Sequence, residues 1–417
     1  MSSGKVNRRE YLKYLASFIA GAVVFGGGIA AYYASLPPKK EVVTQTVKTT
    51  VTGPTVTVTR TVTVTPTPTP TPTPAPPPFT PPPKPPKMTW NANTAEPGTV
   101  GYIAVAAIAD LVTKTYPDVL TVLPISVGGA TTTVKVWDRG EGHSCYNTLQ
   151  HLWQVRVGAG PFDPKEYRMR RADEFWQVLW MYPLIYFGII RATDADKIKS
   201  WSDFAGRPVF PTPPGYGSHE VFRAVFGKDG LNIIDKIDLK SMSVEAAADN
   251  LKLGVIDVCW AYCDPAALAK WVMDVDARVG VAVVPPTPEE LRKGMAAGPW
   301  LSKYTVDPSK LFTSPAAKAA KPFETLAMPF GIAAGADVSD AHVYYFVKAV
   351  FEKREELGKT VATFTDFAKR GLEWNIEVFQ HQSKPPISSP IHPGTALYLR
   401  EKGYNPEALG ILVGKRK

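Results

Sequence analysis

The sequence predicts an α/β body of two lobes joined by two crossing strands, preceded by an apolar helix and an extended Pro/Thr-rich stalk. Three observations lead there. Strand-like and helix-like segments alternate from Met88 onward, as in α/β proteins. Two long apolar, extended stretches, WMYPLIYFGIIR (Trp180–Arg191) and FETLAMPFGIAA (Phe323–Ala334), bracket a region large enough for a second lobe. Many of the 40 prolines of the 417-residue chain crowd into VTVTPTPTPTPTPAPPPFTPPPKPPK, where no packed core can form.

The N-terminus comes first in chain order. NRREYLK (Asn7–Lys13) precedes YLASFIAGAVVFGGGIAAYYASLPP, which has no charged residue from Tyr14 through Pro38. Such a run is long enough to cross a hydrocarbon core of roughly 30 Å as a helix. The basic residues before it favour a cytoplasmic N-terminus. Arg8-Arg9-Glu10-Tyr11-Leu12-Lys13 has the pattern of a twin-arginine export signal. There is no small-x-small cleavage pattern near Tyr32–Ser35 and no nearby cysteine for lipid attachment, so an uncleaved anchor is expected. Residues 1–13 then form the cytoplasmic flank, 14–36 the anchor and 37–88 the stalk. The Pro part of the stalk reads as polyproline II at about 3.1 Å per residue, roughly 70 Å of semi-rigid reach, with the composition of an O-glycosylated stalk.

The charge of +9 belongs to this N-terminal region. Ten basic and two acidic residues precede Thr89, which leaves 37 basic and 36 acidic residues for the body. A nearly neutral body has no footprint for nucleic-acid phosphates. Cys145, Cys259 and Cys263 form no CxxC pair, so neither a disulfide framework nor a zinc site is indicated. Cys259 and Cys263, four apart, either pair across a turn or stay as buried thiols.

Within the body, VGYIAVAAIADLVTKTY is helical and LTVLPISV (Leu120–Val127) is a strand ending at Gly128-Gly129. RPVFPTP (Arg207–Pro213) is a strand leading through PGYGSHE into helical VFRAVFG. VEAAADNLKLG (Val244–Gly254) is a helix closed by glycine, followed by strand VIDVCWAY. SDAHVYYFVKAVFEKREEL is amphipathic, with Ser339 as N-cap and Val343, Phe346, Val347, Val350 and Phe351 on one face. Lobe 1 is expected at 89–185 and 325–417, lobe 2 at 186–324.

Three loops have the make-up of clamps for an anion or polar ligand: NTAEPGTVGY (Asn93–Tyr102), VGGATTTVK (Val127–Lys135) and PPGYGSHE (Pro213–Glu220). In each, glycines let backbone N–H groups approach a ligand, hydroxyls add donors, and a following helix contributes partial positive charge. Catalytic signatures are missing: there is no GxxxxGK[ST], GxSxG or HExxH, and the six histidines have no metal-ligand spacing. Glu289-Glu290 and Glu355-Glu356 read as solvated helix faces, and Trp153, Trp176 and Trp180 as core.

ISVGGATTTVKVWDRG (Ile125–Gly140), WSDFAGRPVFPTPPGYG (Trp201–Gly217), VEAAADNLKLGVIDV and PIHPGTALYLREKG (Pro390–Gly403) together resemble the TAXI class of solute-binding receptors of TRAP transporters. The resemblance covers most of Met88–Gly403. It implies the type II periplasmic-binding fold, with a cleft that closes on a small solute, usually a carboxylate, and delivery to integral-membrane permease subunits. It implies no catalysis, cofactor or metal. Carried over, the ligand-facing positions are Thr94, Gly98 and Thr99, then Gly128, Gly129, Ala130 and Thr131, then Gly215, Tyr216, Gly217, Ser218 and His219, with Tyr182 at the hinge. His392 is expected to fix a turn before the last helix. The clamp Gly-Gly-Ala-Thr lacks the Ser and Asn of that family, and Arg139–Glu174, with EYRMRR, is longer than its counterpart. A receptor for an ABC importer, a sensor and a stalked surface enzyme stay open beside this reading.

Overall fold

The computed structural model describes residues 79–416. The expected signal, anchor and most of the stalk lie outside the described residues. Among the described residues no helix is long and apolar enough to cross a membrane.

The first lobe starts with β1 (Met88–Thr94), helix α1 (Val100–Thr115) and β2 (Leu120–Ser126), then α2 (Ala130–Asp138), β3 (Ser144–Thr148) and α3 (Leu149–Val157). β4 (Trp176–Arg191) leads into the second lobe: β5 (Pro208–Phe210), α4 (Gly217–Phe226), β6 (Asp238–Leu239), α5 (Ala247–Leu253), β7 (Val258–Cys263), α6 (Lys270–Val279), β8 (Val281–Val284), α7 (Pro288–Ala296) and β9 (Ser302–Val306). β10 (Phe323–Ala334) returns, and α8 (Asp340–Glu352), α9 (Arg354–Thr360), α10 (Thr365–Ser383) and α11 (Pro393–Glu401) complete the first lobe.

The strands run in the order β2-β1-β3-β10-β4-β7-β5-β6, with β8 on β4 and β9 on β10. The long strands β4 and β10 are antiparallel and shared between lobes. Residues 330–334 of β10 pair with β3, while residues 323–327 pair with β9; residues 185–190 of β4 pair with β7. Away from these two, β1, β2 and β3 are parallel to one another, as are β5, β6 and β7. Two parallel half-sheets flanked by helices and linked by two crossing strands make an α/β fold of the periplasmic-binding-protein kind. The apolar stretches take this place because strands covered on both faces are apolar throughout rather than alternating.

Several expectations change in the structure. The stalk does not run free to residue 88. The Tyr345 hydroxyl donates to the Pro82 carbonyl at 3.0 Å, the His342 ring bonds the Pro86 carbonyl at 2.8 Å, and Phe79 packs 6.2 Å from the Tyr344 ring. Residues 79–87 are therefore a strap on lobe 1, their carbonyls free for bonding because a proline-rich chain makes no bonds to itself. Glu290 is not solvated. It is 5 % exposed, and its carboxylate accepts the N–H groups of Trp201, Ser202 and Thr287. Cys259 and Cys263 lie on one extended strand as buried free thiols, so the alternative of a bridge falls away. A rise of about 3.3 Å per residue holds positions four apart well beyond bonding distance. In the Arg139–Glu174 stretch, the Asp138 carboxylate accepts the N–H groups of Arg170 and Arg171 and the Tyr167 hydroxyl, which pins the segment onto α2. His392 caps α11, its ring accepting the Gly394 N–H at 3.1 Å. Ser339 caps α8.

Candidate functional site

Three helices begin at one cavity. Thr99 is the N-cap of α1; its hydroxyl accepts the Tyr102 N–H at 3.2 Å and donates to the Glu96 carbonyl at 2.6 Å. Gly129 is the N-cap of α2, and Tyr216 that of α4. The cavity has a volume of about 30 Å³ in this form, room for only a few atoms, and its wall includes Thr99, Val100, Gly101, Gly129, Ala130, Gly217 and Ser218. Helix first turns leave N–H groups without intrahelical partners, so three partially positive ends face the same space.

The clamps of the two lobes touch. The Thr131 N–H donates to the Gly215 carbonyl at 3.2 Å, across the cleft. The Tyr216 hydroxyl donates to the Glu96 carboxylate at 2.7 Å. A Cβ on Gly129 would stand 2.6 Å from the Gly215 carbonyl carbon and 2.9 Å from the Tyr216 nitrogen, so glycine is required for this approach. The structure is a closed form. The lobe 2 clamp is braced from within: Thr212 takes a left-handed φ of 73°, its hydroxyl lies 2.7 Å from that of Ser218, and its carbonyl accepts from the His219 ring at 2.8 Å. A β-branched residue with positive φ is strained, and such strain concentrates at functional sites.

The floor comes from the crossing strands and their neighbours: Leu184 of β4, Phe330 of β10, Tyr146 of β3 and Tyr262 of β7. Tyr182 stacks on Phe330 at 6.1 Å and bonds the Tyr146 hydroxyl at 2.8 Å. Burial keeps the pKa values of both phenols well above the ordinary value, and pushes Tyr262 up to about 12. Behind Thr131 lies buried His151, with its Nε2 at 3.1 Å from the Thr131 hydroxyl and its Nδ1 accepting the Thr148 N–H. Burial lowers its pKa to about 3, so the ring is neutral. With Nδ1 an acceptor, Nε2 carries the proton and donates it to Thr131.

Of the expected site residues, Thr99, Gly129, Ala130, Tyr216, Gly217 and Ser218 lie on the cavity wall. The others stand behind it. Thr94 is buried with its hydroxyl on the Gly101 carbonyl, Gly98 and Gly128 make positive-φ turns, and Thr131 and Gly215 make the bond between clamps. Tyr182 sits beneath Tyr146, and His219 turns to Thr212. The sequence reading missed Tyr146, Leu184, Tyr262 and Phe330. Strand alternation carries a signal for one of them: Leu184 shares a face of β4 with Tyr182, two residues away.

The NMT1-like family pattern matches residues 93–403, which include all three clamps and both crossing strands. The chain belongs to the NMT1-like family. No curated protein matches it. Among solved structures, this NMT1-like chain is similar to a protein of Bordetella bronchiseptica RB50 at 12 % identity, covering 76 % of this chain and 99 % of that one, with a TM-score of 0.44. It is similar to an amino acid ABC transporter substrate-binding protein from Streptococcus pneumoniae bound to L-arginine (12 % identity, 68 % and 92 % covered, TM-score 0.38). It is also similar to the alkanesulfonate-binding protein from Xanthomonas axonopodis pv. citri bound to MOPS (11 %, 78 % and 85 %, 0.36).

A larger hollow of about 80 Å³ lies between the hinge stretch Met181–Pro183 and α10, with Tyr304, Asp366 and Trp374 on its wall. The first turn of α10, through Asp366 and Phe367, borders it, but none of the three glycine-rich clamps does. The convergence of donors from both lobes makes the smaller cavity the candidate site.

Proposed function

We propose that the chain is a membrane-tethered, extracytoplasmic solute receptor that closes its lobes around a small carboxylate. The observation that carries this is the meeting of two clamps, one from each lobe, over a cavity faced by three helix N-termini. Closure buries the solute between N–H donors of both lobes, so bound solute stabilises the closed state by its differential affinity for it. The apolar segment before the stalk supplies the tether, and a TRAP-type secondary transporter receives the solute. That last step is supported by the resemblance of the four quoted sequence elements. The chain has no catalytic role in this account. The site residues are those at the clamps: Thr99, Gly129, Ala130, Gly217 and Ser218 contact solute, while Thr131, Gly215 and Tyr216 hold the clamps together.

Native mass spectrometry of the full chain, taken from its source membrane, tests the reading. A small acidic molecule released on unfolding is expected; a chain that carries none, and that no carboxylate stabilises against heat, contradicts it. Co-purification with large multi-span permease subunits is expected of the transport assignment. Turnover of the bound molecule would point to a surface enzyme instead.

A further inference from the structure

The donors and walls of the cavity select one class of solute. Tyr146 and Tyr182 are 4 % and 1 % exposed, and their hydroxyls lie 2.8 Å apart. Two phenols carry two protons, and the bond between them uses one. Burial keeps both phenols protonated. With Tyr182 as the donor to Tyr146, the second proton is that of Tyr146, which lies on the cavity wall and has no acceptor for it among the described residues. Tyr262, 4 % exposed, adds a third protonated phenol to that wall. The first-turn N–H groups of α1, α2 and α4 add further donors. A group that only accepts, with several lone pairs, completes such a set: a carboxylate.

The rest of the wall is as informative. It has no Lys, Arg, His, Asp or Glu, and Leu184 and Phe330 make it apolar. A second charge on the solute would be buried with no partner, which costs heavily. We infer that the cleft takes a small monocarboxylate with an uncharged, largely apolar body. It rejects dicarboxylates, and it rejects amino acids, whose ammonium meets no carboxylate here. This rests on the receptor reading above and narrows it.

The test is calorimetric titration of the full chain in detergent. The probes are straight-chain monocarboxylates from acetate to octanoate, with glutarate, 4-aminobutyrate and butyramide. The best monocarboxylate should bind at least 100-fold tighter than each of the other three. Tyr146→Phe should weaken it at least tenfold, and Tyr262→Phe serves as a second variant should Tyr146→Phe melt early. Binding of glutarate, 4-aminobutyrate or butyramide within tenfold of the best monocarboxylate overturns the inference and leaves the receptor reading standing. So does native mass spectrometry that finds a dicarboxylate, an amino acid or an uncharged solute in the cleft. Absence of any bound solute, together with no binding across the whole panel, overturns both.

Discussion

Gly129→Ala isolates closure from folding. The backbone at Gly129 has φ −69° and ψ 171°, a conformation that alanine adopts freely. In the closed form, however, the new methyl would lie 2.6 Å from the Gly215 carbonyl carbon. Non-bonded carbons rest at about 3.5 Å or more, so the clamps must part by roughly 1 Å. The Thr131–Gly215 bond, already 3.2 Å long, is then lost. Losing it costs about 0.5–1.5 kcal/mol, and residual crowding adds about 1–3 kcal/mol. A closed state weakened by about 1.5–4.5 kcal/mol lowers solute affinity by about 10- to 2,000-fold. The open chain gains, if anything, from the smaller entropy of its unfolded state. Titration calorimetry on the full chain should show that loss of affinity, with the unliganded melting temperature unchanged or slightly raised. Affinity within twofold of the parent would refute the argument that this glycine admits the opposing clamp.

The remaining predictions are separate from that one. Tyr216→Phe removes the hydroxyl bonded to the Glu96 carboxylate, and since Glu96 is exposed the loss should be a modest several-fold rise in solute dissociation rate, read by stopped-flow. Glu290→Ala strips the acceptor from three N–H groups at a cost of about 1–3 kcal/mol, so the melting temperature should fall by about 3–10 °C with solute affinity unchanged. His151 and His392 are buried and neutral, their pKa values lowered from 6.5 to about 3 and about 4 by loss of solvent. The unfolded chain takes up these protons as pH falls through 6.5, and the folded chain refuses them. Stability is therefore full above pH 6.5 and declines toward pH 4, by about 1.4 kcal/mol per pH unit for each ring; denaturant melts of His151→Gln should show a shallower slope. Truncation to begin at Met88 removes the strap bonded to Tyr345 and His342, and should lower the melting temperature and expose Tyr345 to solvent.

The sequence held the architecture in strong, local signals. The unbroken apolarity of Trp180–Arg191 and Phe323–Ala334 marks strands covered on both faces, and glycine-rich turns mark the helix starts that meet at the cavity. What stayed hidden depends on contacts between distant parts of the chain. Tyr146 and Tyr262 come from unremarkable strands and become site residues only because β3 and β7 flank the crossing pair. Glu290 looks like half of a solvated acidic pair until the turn Trp201–Phe204 is set beside it. The strap looks like more stalk, since nothing in PPPKPPK announces the aromatic groove on α8 that holds it.

The central claim is that the lobes close on a solute. Spin labels on Lys114→Cys in lobe 1 and Lys252→Cys in lobe 2 would report it in the full chain, because the three native thiols are buried and escape labelling. The account predicts a distance distribution that shifts by several ångströms and narrows, saturably, as the bound carboxylate is titrated back into stripped protein. A distribution that is the same with and without saturating solute would contradict it.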